Sequence, residues 1–227
     1  MREEVRERYG REIDFERGGM SLSVFNNKVM PLFALGLLMT GVSSFLAWGL
    51  PSTLLIGAMI FELILIFTSP MWAYRERGSV NVGIYLFFTS LSGISLVPLL
   101  QWAGAINPNL IIQAFGITAI TFASLMVFGA VTKKDFSWMG TMLFMSVIGL
   151  IVASIANIFI GGSVLSLGIS FISVIIFSAF VVYDMSRIRA YFSERDYIVA
   201  TIALYLDFIL LFQNVLRILG IFGSSND

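Results

Sequence analysis

Seven stretches of this chain, each about 20 residues long and nearly free of charge, decide what it can become. They cover residues 29–50, 53–73, 80–103, 110–131, 138–159, 164–183 and 197–219. A helix needs about 20 consecutive apolar residues to cross the hydrocarbon of a bilayer. There every backbone N–H and C=O must be bonded within the protein, which leaves only helices or closed barrels. Long continuous apolar runs, without alternation, select helices. The breaks between them are short: Gly49-Leu50-Pro51, Arg75-Glu76-Arg77-Gly78, Asn107-Pro108-Asn109, Lys133-Lys134-Asp135, Gly161-Gly162 and the charged stretch 187–196. No loop has room for an extramembrane domain. The expected fold is an all-α polytopic membrane protein of seven transmembrane helices. It comprises a charged N-terminal tail over 1–27, the membrane domain over 28–220 and a short C-terminal tail over 221–227.

Composition supports this class, with 58% hydrophobic and only 12% charged residues, where soluble domains carry about 25% charge. The formal net charge of +0 conceals a division between the two ends of the bundle. Arg2, Arg6, Arg8, Arg11, Arg17 and Lys28 precede the first span. Arg75 and Arg77 follow the second, Lys133 and Lys134 the fourth, and Arg187, Arg189 and Arg195 the sixth. The alternate loops hold no Lys or Arg, and of the 14 basic residues only Arg217 falls near the other end. The positive-inside rule then puts the N-terminus in the cytoplasm and the C-terminus outside, in a multi-pass protein of the cell (inner) membrane. Residues 1–20 read as a solvated tail or a short surface helix at the cytoplasmic face.

The chain has no cysteine and no histidine. Disulfides, thiolate metal sites and cysteine nucleophiles are excluded, and so are histidine-based sites and the usual pH switch. Proton sensing falls to carboxyl groups. Three of them stand out. Asp207 interrupts the run IVATIALYLDFILLF (198–212), and an acid at the centre of a spanning helix costs roughly 2.5–3.5 kcal/mol on insertion scales. Asp184 closes the run FISVIIFSAFVVY (171–183). Glu62 lies about ten residues into the second span, near the bilayer midplane at about 1.5 Å per residue.

The sixth and seventh spans run antiparallel, so Asp184 and Asp207 can both lie in the cytoplasmic half. Facing each other, the two carboxyls would not both ionise and would hold one proton as a pair. Each acid also has a structural alternative. Asp184 would pair with Arg187 one turn on, and Glu62 would bond a neighbouring Ser or Thr as a protonated carboxyl. Asp207 has no base at its depth on its own helix. Three acids without a buried base favour a proton or cation pathway, with Arg217 snorkelling at the outer end. Ser92-Gly93-Ile94-Ser95 and Pro98, with Gly116, Thr118 and Thr121, read as close-packing positions. Trp48, Trp72, Trp102 and Trp138 fit interfacial aromatic belts.

These residues resemble the Bax inhibitor-1 family of transmembrane Bax inhibitor motif proteins, from about residue 27 to 220. The likeness is carried by KVMPLFALGLLMTG (28–41), SGISLVPL (92–99), QAFGITAITFASL (113–125) and Asn157-Ile158-Phe159. Its strongest pieces are YDMSRI (183–188) and ALYLDFILLFQNVLRILG (203–220). One position departs from the pattern: Leu210 stands where bacterial members commonly have Asn. The resemblance implies that the last helix is surrounded by the other six. It also implies a pH-sensitive calcium leak, in which Asp184 and Asp207 form the hydrogen-bonded pair. An arginine latch on that pair matches Arg75, with Arg77 second, and Glu62 matches an acid of the pore.

The expected function is therefore a passive calcium leak channel gated by the aspartate pair. Calcium prefers oxygen ligands, and Asp184, Asp207 and Glu62 are the candidates for touching it. Calcium would be cargo, with no cofactor. A proton-coupled cation exchanger is the nearest alternative, and a non-transporting regulator binding other membrane proteins is the third. Partners would be the bilayer, calcium ions and protons, with no nucleic acid and a monomeric state. An enzyme is not expected. Leu204-Tyr205-Leu206 before Asp207 lacks the Gly-x-Gly-Asp of intramembrane aspartyl proteases, serine chemistry lacks its histidine, and no span holds a retinal-binding lysine.

Overall fold

The computed structural model describes residues 19–73, 78–132, 134, 136 and 138–224. Among these, seven helices are long and apolar enough to cross a membrane. They are α1 (Leu22–Leu46), α2 (Ser52–Ala73), α3 (Gly78–Ile106), α4 (Asn109–Val131), α5 (Met139–Ile160), α6 (Ser163–Ala190) and α7 (Tyr197–Ser224). No strand occurs among the described residues. The all-α seven-helix expectation holds.

Helix limits differ from the expected spans where capping chemistry intervenes. The first helix starts at Leu22, inside the segment expected to be tail, because the Ser21 hydroxyl accepts the Val24 N–H and caps the turn. It then widens into a π-turn over Phe25–Val29, where the Met30 N–H reaches back to the Phe25 carbonyl. This register change stands directly before Pro31, which has no N–H to donate. The sixth helix runs through Asp184 to Ala190, so it continues beyond the apolar run that this acid closes. The last helix continues to Ser224, past the expected limit at 220.

Glycine decides two junctions. Gly161 and Gly162 take φ of 70° and 107°, which lets α5 turn directly into α6. At Gly93 of α3 a Cβ would strike the Thr40 carbonyl and the Ser43 hydroxyl of α1, so α1 and α3 approach backbone to backbone. The α6–α7 turn is closed by Ser193 and Asp196, whose side chains and backbones satisfy each other reciprocally. Ser21 donates to Glu194 and the Met20 N–H to the Ile188 carbonyl, tying the start of the described chain to this turn.

The last helix is the axis of the bundle. Of the best apolar stretch of α7, 67% is buried, against 6% in α2 and 11% in α5. It packs directly on α1, α3, α4 and α6. The two remaining helices lie further out, α2 against α3 and α5 against α6. Both still reach α7 across a cavity, so the enclosure is tight on one side and hollow on the other.

Candidate functional site: acids on two faces of the central helix

The cavity is about 690 Å³ and runs along α7 from Val199 to Arg217. That is roughly 27 Å of helix at about 1.5 Å per residue, close to the thickness of the hydrocarbon. The α6 residues Ser173, Phe177 and Asp184 form one wall, with Leu150, Ile151 and Ile155 of α5 and Ser69 of α2 opposite. The lining on α7 follows one helical face: Ala203, Leu206, Asp207, Leu210, Gln213, Asn214 and Arg217.

Asp184 and Asp207 both open onto this cavity, and both are buried, at 8% and 4% exposure. Their bonding is unequal. One Asp184 oxygen lies 3.7 Å from an Arg187 guanidinium nitrogen, an ion pair too long to be a hydrogen bond. That guanidinium also sits over the rings of Tyr183 and Phe192, with its carbon 5.3 and 5.1 Å from their centroids. Asp207 Oδ2 is buried and makes no hydrogen bond, to Asp184 or to any other described residue. A buried carboxyl oxygen without a donor is expensive, and a proton or a cation is what would satisfy it.

Glu62 is placed elsewhere. It does not line the cavity; its two carboxyl oxygens accept hydroxyls from Ser92 and Ser95 of α3. Spacing i, i+3 puts those serines on one face of α3. No group of three metal-ligating side chains gathers among the described residues. The structure thus brings two of the three acids together and gives the third its own hydroxyl partners. Arg75 and Arg77, expected as the latch, lie outside the described residues.

Comparison with known proteins agrees with the motifs. Residues 22–224 match the family described as "Inhibitor of apoptosis-promoting Bax1". The chain belongs to the Bax inhibitor-1 family. Its relatives include an uncharacterized protein of Campylobacter jejuni, 36% identical over 226 residues, covering 95% of this chain and 96% of the relative. An uncharacterized membrane protein of Vibrio cholerae is 37% identical over 211 residues, covering 88% and 92%. A further uncharacterized membrane protein, from Streptococcus pyogenes, is 34% identical over 171 residues, covering 72% and 73%. With seven apolar helices, these matches establish a multi-pass membrane protein of this family.

Several cavity residues were not singled out from sequence. Gln213 and Asn214 continue the polar line from Asp207 towards Arg217, and their spacing of about two turns from Asp207 was the available signal. Asn214 spends one donor on the Leu210 carbonyl at 2.7 Å, across the position where the family pattern departs. Ser92 and Ser95, read as packing positions, are the donors to Glu62.

Proposed function

We propose that this family member is a passive, pH-modulated cation leak, with calcium as the ion, in the cell membrane and with its N-terminus cytoplasmic. The observation that supports it is Asp207, which lines a cavity running along α7 beside a second acid and whose buried Oδ2 has no hydrogen-bond partner among the described residues. A cation entering that cavity meets two carboxyl groups and oxygen donors from Ser173, Gln213 and Asn214. Those are the hard ligands calcium takes. A proton on the pair removes the charge that draws the cation in, and it loosens the attraction between Asp184 and Arg187. Protonation therefore biases the equilibrium between closed and conducting arrangements. Ions move down their gradient without covalent chemistry or cofactor.

The test is calcium flux in liposomes over a range of pH. Wild type is expected to show strong pH dependence, and Asp184→Asn and Asp207→Asn to flatten it. Unchanged profiles in both variants would overturn the gating role. Flux driven by an imposed pH gradient, and not merely modulated by pH, would replace the leak with an exchanger.

A further inference from the structure

The cavity has a second polar end that the aspartates do not account for. Gln213 and Arg217 both line it, and their i, i+4 spacing puts them on one face of α7. Neither side chain makes a hydrogen bond or an ion pair among the described residues. Asp207, the acid on the same helix, is about 15 Å back along the axis. Glu194 and Asp196 belong to the turn before α7, and Glu62 lies outside the cavity. The guanidinium therefore stands at the end of a largely apolar cavity with no counter-charge among the described residues. An anion would supply one.

The walls next to this end say what kind of anion fits. Leu206 and Leu210 of α7, Phe177 of α6 and Ile151 and Ile155 of α5 make them apolar. Ile151 and Ile155 line the cavity and are nevertheless 52% and 50% exposed, so the cavity opens sideways along α5 and not only at its ends. The packing explains the opening: α5 leans on α6 and α2 on α3, and these two outer helices do not pack tightly on each other. In a bilayer such an opening faces hydrocarbon. Aliphatic walls offer nothing to an ion, whereas an acyl chain can enter between them from the side. A volume of about 690 Å³, mostly apolar with a few polar groups at one end, is also the usual make-up of a site for a small amphiphile.

We propose that the cavity seats one phospholipid, its headgroup phosphate on Arg217 and Gln213 and one acyl chain between Leu210 of α7 and the α5 isoleucines. The guanidinium fork matches two phosphate oxygens, and the Gln213 amide can donate to a third. Leu210 is two turns from Arg217, about 10 Å, which is where a chain hanging from that phosphate runs. The charge has one partner and the apolar wall another, and a phospholipid carries both in one molecule. An arginine that only snorkelled would turn to bulk headgroups, whereas Arg217 forms part of the cavity lining. The inference concerns lipid binding and stands whether or not the cavity conducts calcium.

The test is native mass spectrometry of the full-length protein in detergent, titrated with dioleoylphosphatidylglycerol. Wild type is expected to hold one lipid much more tightly than any that follow. Arg217→Gln should weaken that first lipid about tenfold or more, as loss of a charge-assisted pair does, and Arg217→Lys should weaken it less. Leu210→Trp fills the cavity two turns from the guanidinium and should weaken the lipid as well. Ile155→Trp fills it from the opposite, exposed wall and keeps the question answerable if Leu210→Trp folds poorly. Glycerol 3-phosphate, a headgroup without chains, should not displace the lipid at equal concentration. A first lipid held equally by wild type and Arg217→Gln, or unaffected by both tryptophan variants, would make Arg217 a snorkelling residue beside ordinary boundary lipid and overturn the proposal. Displacement by glycerol 3-phosphate would overturn it too, by making this a site for a soluble anion.

Discussion

Glu62 and Asp207 are acids at similar depth on two helices that both pack against α3, yet their surroundings are opposite. Glu62 has a hydroxyl donor for each oxygen, although its helix is the least buried of the seven. Asp207 belongs to the most buried helix and keeps an oxygen with no donor at all. Depth in the membrane does not explain this difference; the neighbouring face of the partner helix does. The face of α3 towards α2 offers serines at i and i+3, whereas the cavity beside α7 offers space, a second acid and aliphatic walls. Glu62 is tied to α3 through its two hydroxyl donors, and Asp207 leaves one buried oxygen unmet.

The largest expected effect breaks one side of the comparison outright. Gly93→Leu would drive a side chain into the Thr40 carbonyl, forcing α1 from α3 and separating Thr40 from Tyr205. Overpacking typically costs about 1–3 kcal/mol, and here the obstacle is backbone that cannot rotate away. We expect a cost at or above the top of that range, seen as lost yield and a large fall in Tm in detergent. Asp207→Asn attacks the other side and should do the reverse. Its orphan oxygen contributes no hydrogen bond, so Tm should stay near wild type while the pH dependence of flux disappears. A large fall in Tm for Asp207→Asn would show that this acid, too, is structural.

A smaller effect sharpens the satisfied side. Removing the hydroxyls in Ser92→Ala/Ser95→Ala leaves the Glu62 carboxyl without its two donors. An orphaned buried polar group costs about 1–3 kcal/mol, while single hydrogen bonds inside membranes average about 0.6 kcal/mol. The double variant should therefore lose about 1–2 kcal/mol by reversible unfolding in detergent. Adding Glu62→Leu to it should restore part of the loss, because the stranded carboxyl is gone. No restoration would mean that the serines stabilise α3 itself and not the contact with Glu62.

The bundle was readable from sequence because the bilayer leaves so few choices. Runs at 29–50 and 197–219 could only be helices, and Asp207 was conspicuous in one of them. What sequence could not supply was rotation about each helix axis. It placed Glu62 near the middle of the membrane and Asp184 and Asp207 in its cytoplasmic half, but only packing shows that Glu62 turns to α3 and the aspartates to the cavity. A Ser or Thr partner for Glu62 was foreseen, but sequence could not say that Ser92 and Ser95 supply it, since small residues in a span read equally well as packing surface. Gln213 and Asn214 were legible in principle from their helical spacing to Asp207. The π-turn before Pro31 and the extension of α6 past Asp184 depend on local capping that the apolar pattern does not encode.

The smallest expected effect decides what Asp184 is for. Its ion pair with Arg187 spans 3.7 Å, and the arginine side chain is 36% exposed, so solvent weakens it. Pairs of this kind contribute about 0–1 kcal/mol, and the Tyr183 and Phe192 rings would still pack against a shortened side chain. Arg187→Gln should therefore lower Tm only slightly. If Asp184 serves mainly to hold Arg187, then Asp184→Asn and Arg187→Gln must share one phenotype, and the double variant should look like either single one. If Asp184 acts with Asp207 in the cavity, Arg187→Gln keeps a pH-dependent flux and Asp184→Asn does not. We expect the second outcome, because both carboxyls open onto one cavity while the guanidinium makes no bond of hydrogen-bond length to Asp184. Matching flat profiles for both variants would move the switch from the pair of acids to the turn between α6 and α7.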